Sequence, residues 1–216
     1  MKVIVYTTNI GNYDDLHDIP KWEHIQHPEY LYYTDAKAPK GWKKIKIKTG
    51  DRKASRYWKI NSHLLPPHDI SIYIDACYKL KKPLNSLLDY VMHSDIAICP
   101  HPHQKFLKHA QMCIALGLDD KNIIEKQIKK YGEIQTPLTE NSLIIRKNNA
   151  IIKELNELWW KEYKEGSQRD QLSLPYALSK VSAKLTILPF SARDNKYMYG
   201  WNTHRKQHSK KLPKMS

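Results

Sequence analysis

The residues able to do chemistry in this chain fall into a few clusters. Asp75 closes the apolar run of "SIYIDACYKL", Ser71 to Leu80, where a buried strand ends in one carboxylate. An Asp in that place holds a metal or a phosphate in many α/β enzymes, or simply caps the strand; Cys77 stands where a second metal-binding carboxylate would be wanted. Arg56 and Lys59 lie three apart in "SRYWKINSHLL", one face of a helix. A guanidinium offers paired planar donors and an ammonium a point charge, so the two together suit a diphosphate, or else form a solvated basic face. In "EGSQRDQLSL", Arg169, Asp170 and Gln171 place three long polar side chains at a helix start. Asp170 there either caps the helix or orients or deprotonates a sugar hydroxyl. "HPHQKFLKH" supplies His101, His103 and His109, as loop histidines or as imidazole ligands for a transition metal. Of the adjacent Trp159 and Trp160, one faces the core and the other, Trp160, is a candidate sugar-stacking surface.

These residues need a frame. "KVIVY" (2–6), "EYLYYTD" (29–35), "WKKIKIK" (42–48), "ISIYID" (70–75), "DIAICP" (95–100), "NSLIIRK" (141–147) and "KLTILPF" (184–190) read as strands. Helical spacing marks 51–65, 84–94, 118–132, 149–166 and 167–180, with Gly132 and Gly166 as stops. Strand and helix alternate without a repeat or a low-complexity linker, which predicts one mixed α/β domain over residues 1–200 and a basic tail over 201–216. If the first strands are parallel, Thr7, Thr8, Asp35 and Asp75 share one sheet edge, where open α/β sheets bind ligands.

Composition limits the function classes. The 216 residues are 41% hydrophobic, enough for a core, and no apolar run approaches the roughly 20 residues of a spanning helix. The N-terminus reads as a first strand rather than a signal peptide. Three cysteines without metal-ligand spacing fit reduced thiols and a cytoplasmic setting. The net charge of +14 points to polyanionic partners: a phosphate-bearing substrate, an anionic membrane surface or nucleic acid, or else to a lysine-rich solvated surface. The lysines do not interleave with a recognisable aromatic platform, so no nucleic-acid partner is expected.

In order and spacing, "VYTTNIGNYDDL", "YYTD", "SRYWKINSHLLPPHDISIYIDA", "NSLIIRKNN", "WW" and "SQRDQLSLPYAL" resemble a glycosyltransferase-like family, formerly a domain of unknown function. The family includes plant proteins linked to seed mucilage and turgor regulation, and bacterial members. The resemblance covers about residues 3–180. It implies a GT-A-type, Rossmann-like single domain with a central mixed, mostly parallel sheet flanked by helices.

It also implies roles. The nucleotide would rest on Tyr6, Thr7, Thr8 and Asp35, and the diphosphate on Arg56 and Lys59. "YIDAC" resembles the "YLDAD" of glycogenin-like enzymes, which puts Asp75 and Ala76 at the donor and Asp75 on a divalent cation, Mn²⁺ or Mg²⁺, with a distant ligand such as His204. Asp170, flanked by Arg169 and Gln171, would handle the acceptor or donor sugar. From the residues themselves, His101, His103 and Trp160 are expected at the acceptor or the cleft. The sequence departs from the family at Cys77 and at Gln104, where arginine is usual. The expected activity is transfer of a sugar from a nucleotide-diphosphate donor, most simply a UDP-sugar, to a glycan or polysaccharide by a monomer or homodimer. Its rivals are a non-catalytic sugar-nucleotide or glycan binder and a basic nucleic-acid-binding module.

Overall fold

The computed structural model describes residues 1–11, 13–21, 28–47, 52–103, 105–193 and 195–200; Gln104, His204 and the whole 201–216 tail lie outside them. In chain order the strands are β1 (Val3–Asn9), β2 (Glu29–Thr34), β3 (Lys43–Lys46), β4 (Ile70–Ile74), β5 (Tyr78–Leu80), β6 (Ile96–Pro100), β7 (Thr139–Lys147), β8 (Leu185–Ile187) and β9 (Met198–Gly200). The helices are α1 (Arg52–Ile60), α2 (Phe106–Ala115), α3 (Lys121–Tyr131), α4 (Ala150–Glu165) and α5 (Asp170–Lys180).

Seven strands form one sheet in the order β3-β2-β1-β4-β7-β6-β8, and β5 pairs with β9 alone. All neighbours in the large sheet are parallel except at β7, which runs antiparallel to both β4 and β6. This is a Rossmann-like α/β fold with a mixed, mostly parallel sheet. The winding from β1 goes out through β2 to β3, then restarts at β4 on the other side of β1. The crevice between the carboxyl ends of β1 and β4 is therefore the switch point at which such sheets take ligands.

The side-chain alternation explains the layers. Val3, Val5, Ile70, Ile72, Ile74, Leu143 and Ile145 pack on one face of the sheet. Ile4, Tyr6, Tyr73 and Ile144 point to the other, against Ile152, Leu155, Trp159 and Tyr163 of α4 and Leu174, Ala177 and Leu178 of α5. Strands buried on both faces must read as near-continuous apolar runs; β4 does, while β7 is apolar only at Leu143, Ile144 and Ile145 and carries polar side chains on either side of them. α4 begins where the Asn149 side chain accepts the Ile152 amide at 2.9 Å, a cap that replaces a missing intrahelical partner.

Four differences from the expected elements bear on the site. Residues 84–94 are not an α-helix but 3-10 turns over Asn85–Val91, pressed into the face opposite α4 by Leu87, Leu88 and Val91. The helix expected over 51–65 stops at Ile60, followed by a 3-10 turn at Ser62–Leu64. The histidine-rich stretch continues into α2, whose Phe106, Ala110 and Cys113 form a satellite core with α3 and Leu172 of α5. β7 starts at Thr139, two residues before the expected 141.

One buried cation stops α1. Arg146 of β7 is fully buried, and its guanidinium donates to the Ile60 carbonyl at 2.8 Å, the Lys59 carbonyl at 2.7 Å, the Asn156 side-chain oxygen at 2.9 Å and the Tyr6 hydroxyl. The Tyr6 hydroxyl in turn donates to the Lys59 carbonyl at 2.9 Å. A helix end exposes carbonyls with partial negative charge, so a guanidinium there is held without a carboxylate. Tyr6, expected at the nucleotide, is thus a completely buried support beneath α1.

Arg146→Met strands those acceptors in the core. It is expected to lower unfolding stability by on the order of 3 kcal/mol. Urea denaturation measures this, and a loss below about 1 kcal/mol would show that the network is dispensable.

Candidate functional site

The carboxyl ends of the parallel strands gather the polar residues singled out in the sequence. α1 runs toward the sheet so that Arg56 and Lys59, one turn apart, both point at the segment after β4. Lys59 is only 2% exposed, and its ammonium lies 2.8 Å from Asp170 Oδ2 and 3.4 Å from Asp75 Oδ1. Arg56 Nε lies 3.8 Å from the other Asp170 oxygen. Asp75 Oδ1 also accepts the Tyr73 hydroxyl at 2.6 Å, and the Lys59 ammonium sits 5.0 Å above the Tyr73 ring centre. Two carboxylates and two cations from α1, the end of β4 and α5 thus make one cluster, buried at Lys59 and Asp170 and partly open at Arg56 and Asp75.

Its electrostatics follow from the distances. Burial would raise the Asp170 carboxyl, but Lys59, then Arg56, outweigh it and hold the group well below the usual carboxylate range. Asp75 is treated alike: burial pushes up, Lys59 and Arg56 pull further down. Burial, with the Asp75 charge beside it, lifts the Tyr73 phenol far above its ordinary value, so it serves as a donor. Asp170 begins α5 but makes no capping bond. Trp159 Nε1 donates to its carbonyl at 3.2 Å and to the Ser173 hydroxyl at 3.1 Å, which fixes the helix start against α4. Ser167, three residues before Asp170, donates to Asp119 at 2.6 Å and accepts the Arg169 amide at 3.1 Å.

A second group lies near Asp170. His101 follows β6 and His109 sits in α2, with ring centres 4.4 Å apart; His103 lies 5.3 Å from His101 and 6.2 Å from His109. The His103 amide donates to His101 Nδ1 at 3.1 Å. Burial, then the neighbouring imidazoles, with Arg193 and Arg169, push His101 down to about 3. Burial, then Arg169 and His103, push His109 down to about 4, with the Gln171 side chain pulling the other way. Both rings are neutral at ordinary pH. Neutral imidazoles beside Arg169 and Gln171 can donate to and accept from uncharged hydroxyls.

The other expected residues spread around this centre. The Thr8 and Ser55 hydroxyls bond at 2.7 Å, tying β1 to α1. Thr7 and Ala76 are buried. Asp35 is exposed and accepts the Gly11 amide with both oxygens at 3.1 Å; Gly11, at φ 71°, takes a left-handed turn that a side chain would strain. Trp160 does not join the cluster: it packs edge-on to Tyr57 and stacks on Tyr163 along the α1–α4 surface. Sequence reasoning missed Tyr73, whose alternation in "SIYID" places it on the α1 side, and Glu140, which lay just outside the expected strand.

The described residues fit a divalent ion poorly. Asp75 is engaged by Lys59 and Tyr73, and burial, with Asp75 beside it, pushes Cys77, which stands where a second carboxylate would be wanted, up, so the thiol stays neutral. A neutral thiol is a weak ligand for Mg²⁺ or Mn²⁺. Among the described residues no three His, Cys, Asp or Glu side chains are grouped to hold a metal. A depression of about 390 Å³ does exist, lined by residues including Asp95, Lys147 and Lys184, but at the opposite, amino end of the parallel strands.

Parallel strands whose carboxyl ends converge on buried paired charges define a Rossmann-like α/β protein with its polar centre at the switch point. More closely, the chain belongs to the TOD1/MUCI70 glycosyltransferase-like domain family, whose sequence profile matches residues 32–204. No curated protein matches the chain. No described helix is long and apolar enough to cross a membrane.

Two pH effects follow. Unfolded His titrates near 6.5, and His101 and His109 do so at about 3 and about 4 when folded. Their contribution is complete above about pH 6.5 and is lost as pH falls toward 4. Urea midpoints between those pH values are expected to fall, with a shallower slope in His109→Gln; equal slopes would refute the neutral-imidazole assignment. The Asp75 and Asp170 contribution is complete above about pH 4 and is lost only below it. Lys59→Met is therefore expected to cost about 3–5 kcal/mol at pH 7, with the deficit shrinking as the carboxylates protonate. A pH-independent deficit would mean that lost packing, not lost charge, is responsible.

Proposed function

We propose that this glycosyltransferase-like domain transfers a sugar from a nucleotide-diphosphate donor, most simply a UDP-sugar, to a hydroxyl of a glycan or polysaccharide. The observation that carries the reading is the Lys59–Asp170–Arg56–Asp75 cluster at the β1–β4 crevice. In a Rossmann-like sheet this crevice receives the nucleotide, with Thr8 and Asp35 at its lip. The diphosphate lies over α1, where Arg56, the more accessible cation, takes the phosphate oxygens and Lys59 holds Arg56's partner Asp170 in place. Positive charge fixed there stabilises the negative charge that grows on the leaving diphosphate.

Asp170 sets the positions of the two cations rather than removing a proton, because a carboxylate held so far down is a weak base. The acceptor hydroxyl enters from the side of His101, His103, Arg169 and Gln171. A divalent ion at Asp75 would need ligands from beyond the described residues, such as His204, and no step is routed through one. Three free, buried cysteines support a reducing, cytoplasmic setting. A GT-A-type enzyme with an anionic, polymeric acceptor or an anionic membrane surface nearby would also account for the net charge of +14.

Calorimetry of the full chain against a panel of nucleotide-diphosphate sugars is expected to find one selective binder. Arg56→Gln should weaken that binding at least tenfold, roughly 1.4 kcal/mol. If no nucleotide-diphosphate sugar binds, or if single-stranded oligonucleotides bind more tightly and with steep salt dependence, the proposal fails.

A further inference from the structure

With Asp170 committed to its cations, the transfer lacks a proton acceptor. The pairing of β6 with β7 breaks at this edge. Ile98 faces Ile144, but the next residue, Cys99, faces Glu140, so Asn141, Ser142 and Leu143 have no partner on β6. On the β4 side the ladder goes on: Leu143 pairs with Ile74, and the Asp75 amide donates to the Ser142 carbonyl at 2.9 Å. Irregularities of this kind bend a strand and redirect a side chain, and they gather near active sites.

The side chain redirected here is Glu140. It is 8% exposed, sited between the ends of β4 and β6, where Asp75 and His101 also emerge. Its Oε1 meets Arg193 Nε at 3.4 Å. Its Oε2 is buried and has no hydrogen-bond partner among the described residues. A buried carboxylate oxygen without a donor is costly, and a substrate hydroxyl would satisfy it.

We propose that Glu140 is the catalytic base of the transfer, the carboxylate whose Oε2 takes the proton from the acceptor hydroxyl. The inference rests on the donor reading above. As the proton moves to Oε2, the acceptor oxygen's electron pair forms the new bond to the anomeric carbon. The bond from that carbon to the diphosphate breaks, and its pair leaves on the diphosphate beside Arg56. The proton on Glu140 then passes to water.

The surroundings suit the role. Burial pushes the Glu140 carboxyl up, against the pull of Arg193, and the Asp75 charge pushes the same way while Lys59 opposes. Cys99 of β6 and Tyr78 of β5 also face it, both neutral at ordinary pH because burial raises them. Glu140 is therefore a stronger base than Asp170 of the neighbouring cluster. It is better matched to proton transfer near neutral pH.

The test uses the full chain, the nucleotide-sugar that binds in calorimetry, and water as acceptor, with release of the nucleoside diphosphate as the signal. Glu140→Gln is expected to cut kcat at least 100-fold while donor Kd stays within threefold, and to abolish the acid limb of the kcat/KM profile. Glu140→Asp should recover part of the rate. Arg193→Ala, a change at an exposed side chain, should move the acid limb to higher pH, because it removes the charge that holds Glu140 down. Glu140→Gln with kcat within threefold of the original overturns the proposal. So does an acid limb unmoved in Arg193→Ala, or a wild-type chain that binds donor and never releases it as product. A chain that binds no donor at all overturns the donor reading first, and is told apart by calorimetry alone.

Discussion

The site depends on a single ammonium shared by two carboxylates. Lys59 reaches Asp75 at the end of a strand and Asp170 at the start of a helix, elements nearly a hundred residues apart in sequence. Removing any one of the three leaves a buried charge poorly compensated, and that is what makes such clusters costly to break. The backbone of Lys59 is fixed as firmly as its side chain, since Arg146 and Tyr6 take its carbonyl. Helix, strand and second helix are thereby registered on one atom, and Arg56, one turn back, inherits its position from them.

This division of labour separates residues that hold from residues that face outward. Tyr6, Arg146, Trp159 and Lys59 are all buried within a few per cent and set geometry. Arg56, Asp75 and Glu140 retain some exposure or an unsatisfied atom. The neutral histidines and the paired charges are two chemically distinct groups near Asp170. One suits phosphate, the other uncharged hydroxyls.

Much of this was readable in the residues. The first half of β1, most of β4 and the Leu143, Ile144 and Ile145 centre of β7 are apolar because both faces of the sheet are covered, and α4 shows Ile152, Leu155, Trp159 and Tyr163 at helical spacing. Arg56, Lys59, Asp75 and Asp170 stood out as charges beside apolar elements. What local pattern could not carry was tertiary. The 84–94 segment has helical spacing, yet packing draws it into 3-10 turns. The α2 start hides behind a run of histidines, and Ser167 at capping distance from Asp170 is engaged by Asp119 instead. Glu140 escaped notice because a polar residue ahead of an apolar run reads as a loop, and only the irregular β6–β7 pairing shows where it points. Arg146 sits in a strand whose periodicity says buried but whose type says surface, a conflict that marks a network.

The place of β7 has a consequence for how the chain reaches this state. β1 to β4 come from residues 3–74 and can pair among themselves as soon as they are made. The strand that covers the open side of β4 spans residues 139–147, and it also has to meet β6. Until then β4 presents an apolar, unpaired edge, the kind that joins a stranger's strand. Sequence-distant closure of this sort is slow, because the loop must be ordered before contacts reward it. The same insertion that brings Arg146 under α1 and Glu140 to the sheet's edge is thus the late, error-prone step of assembly. The chemistry of this protein and its exposure to misfolding share one strand.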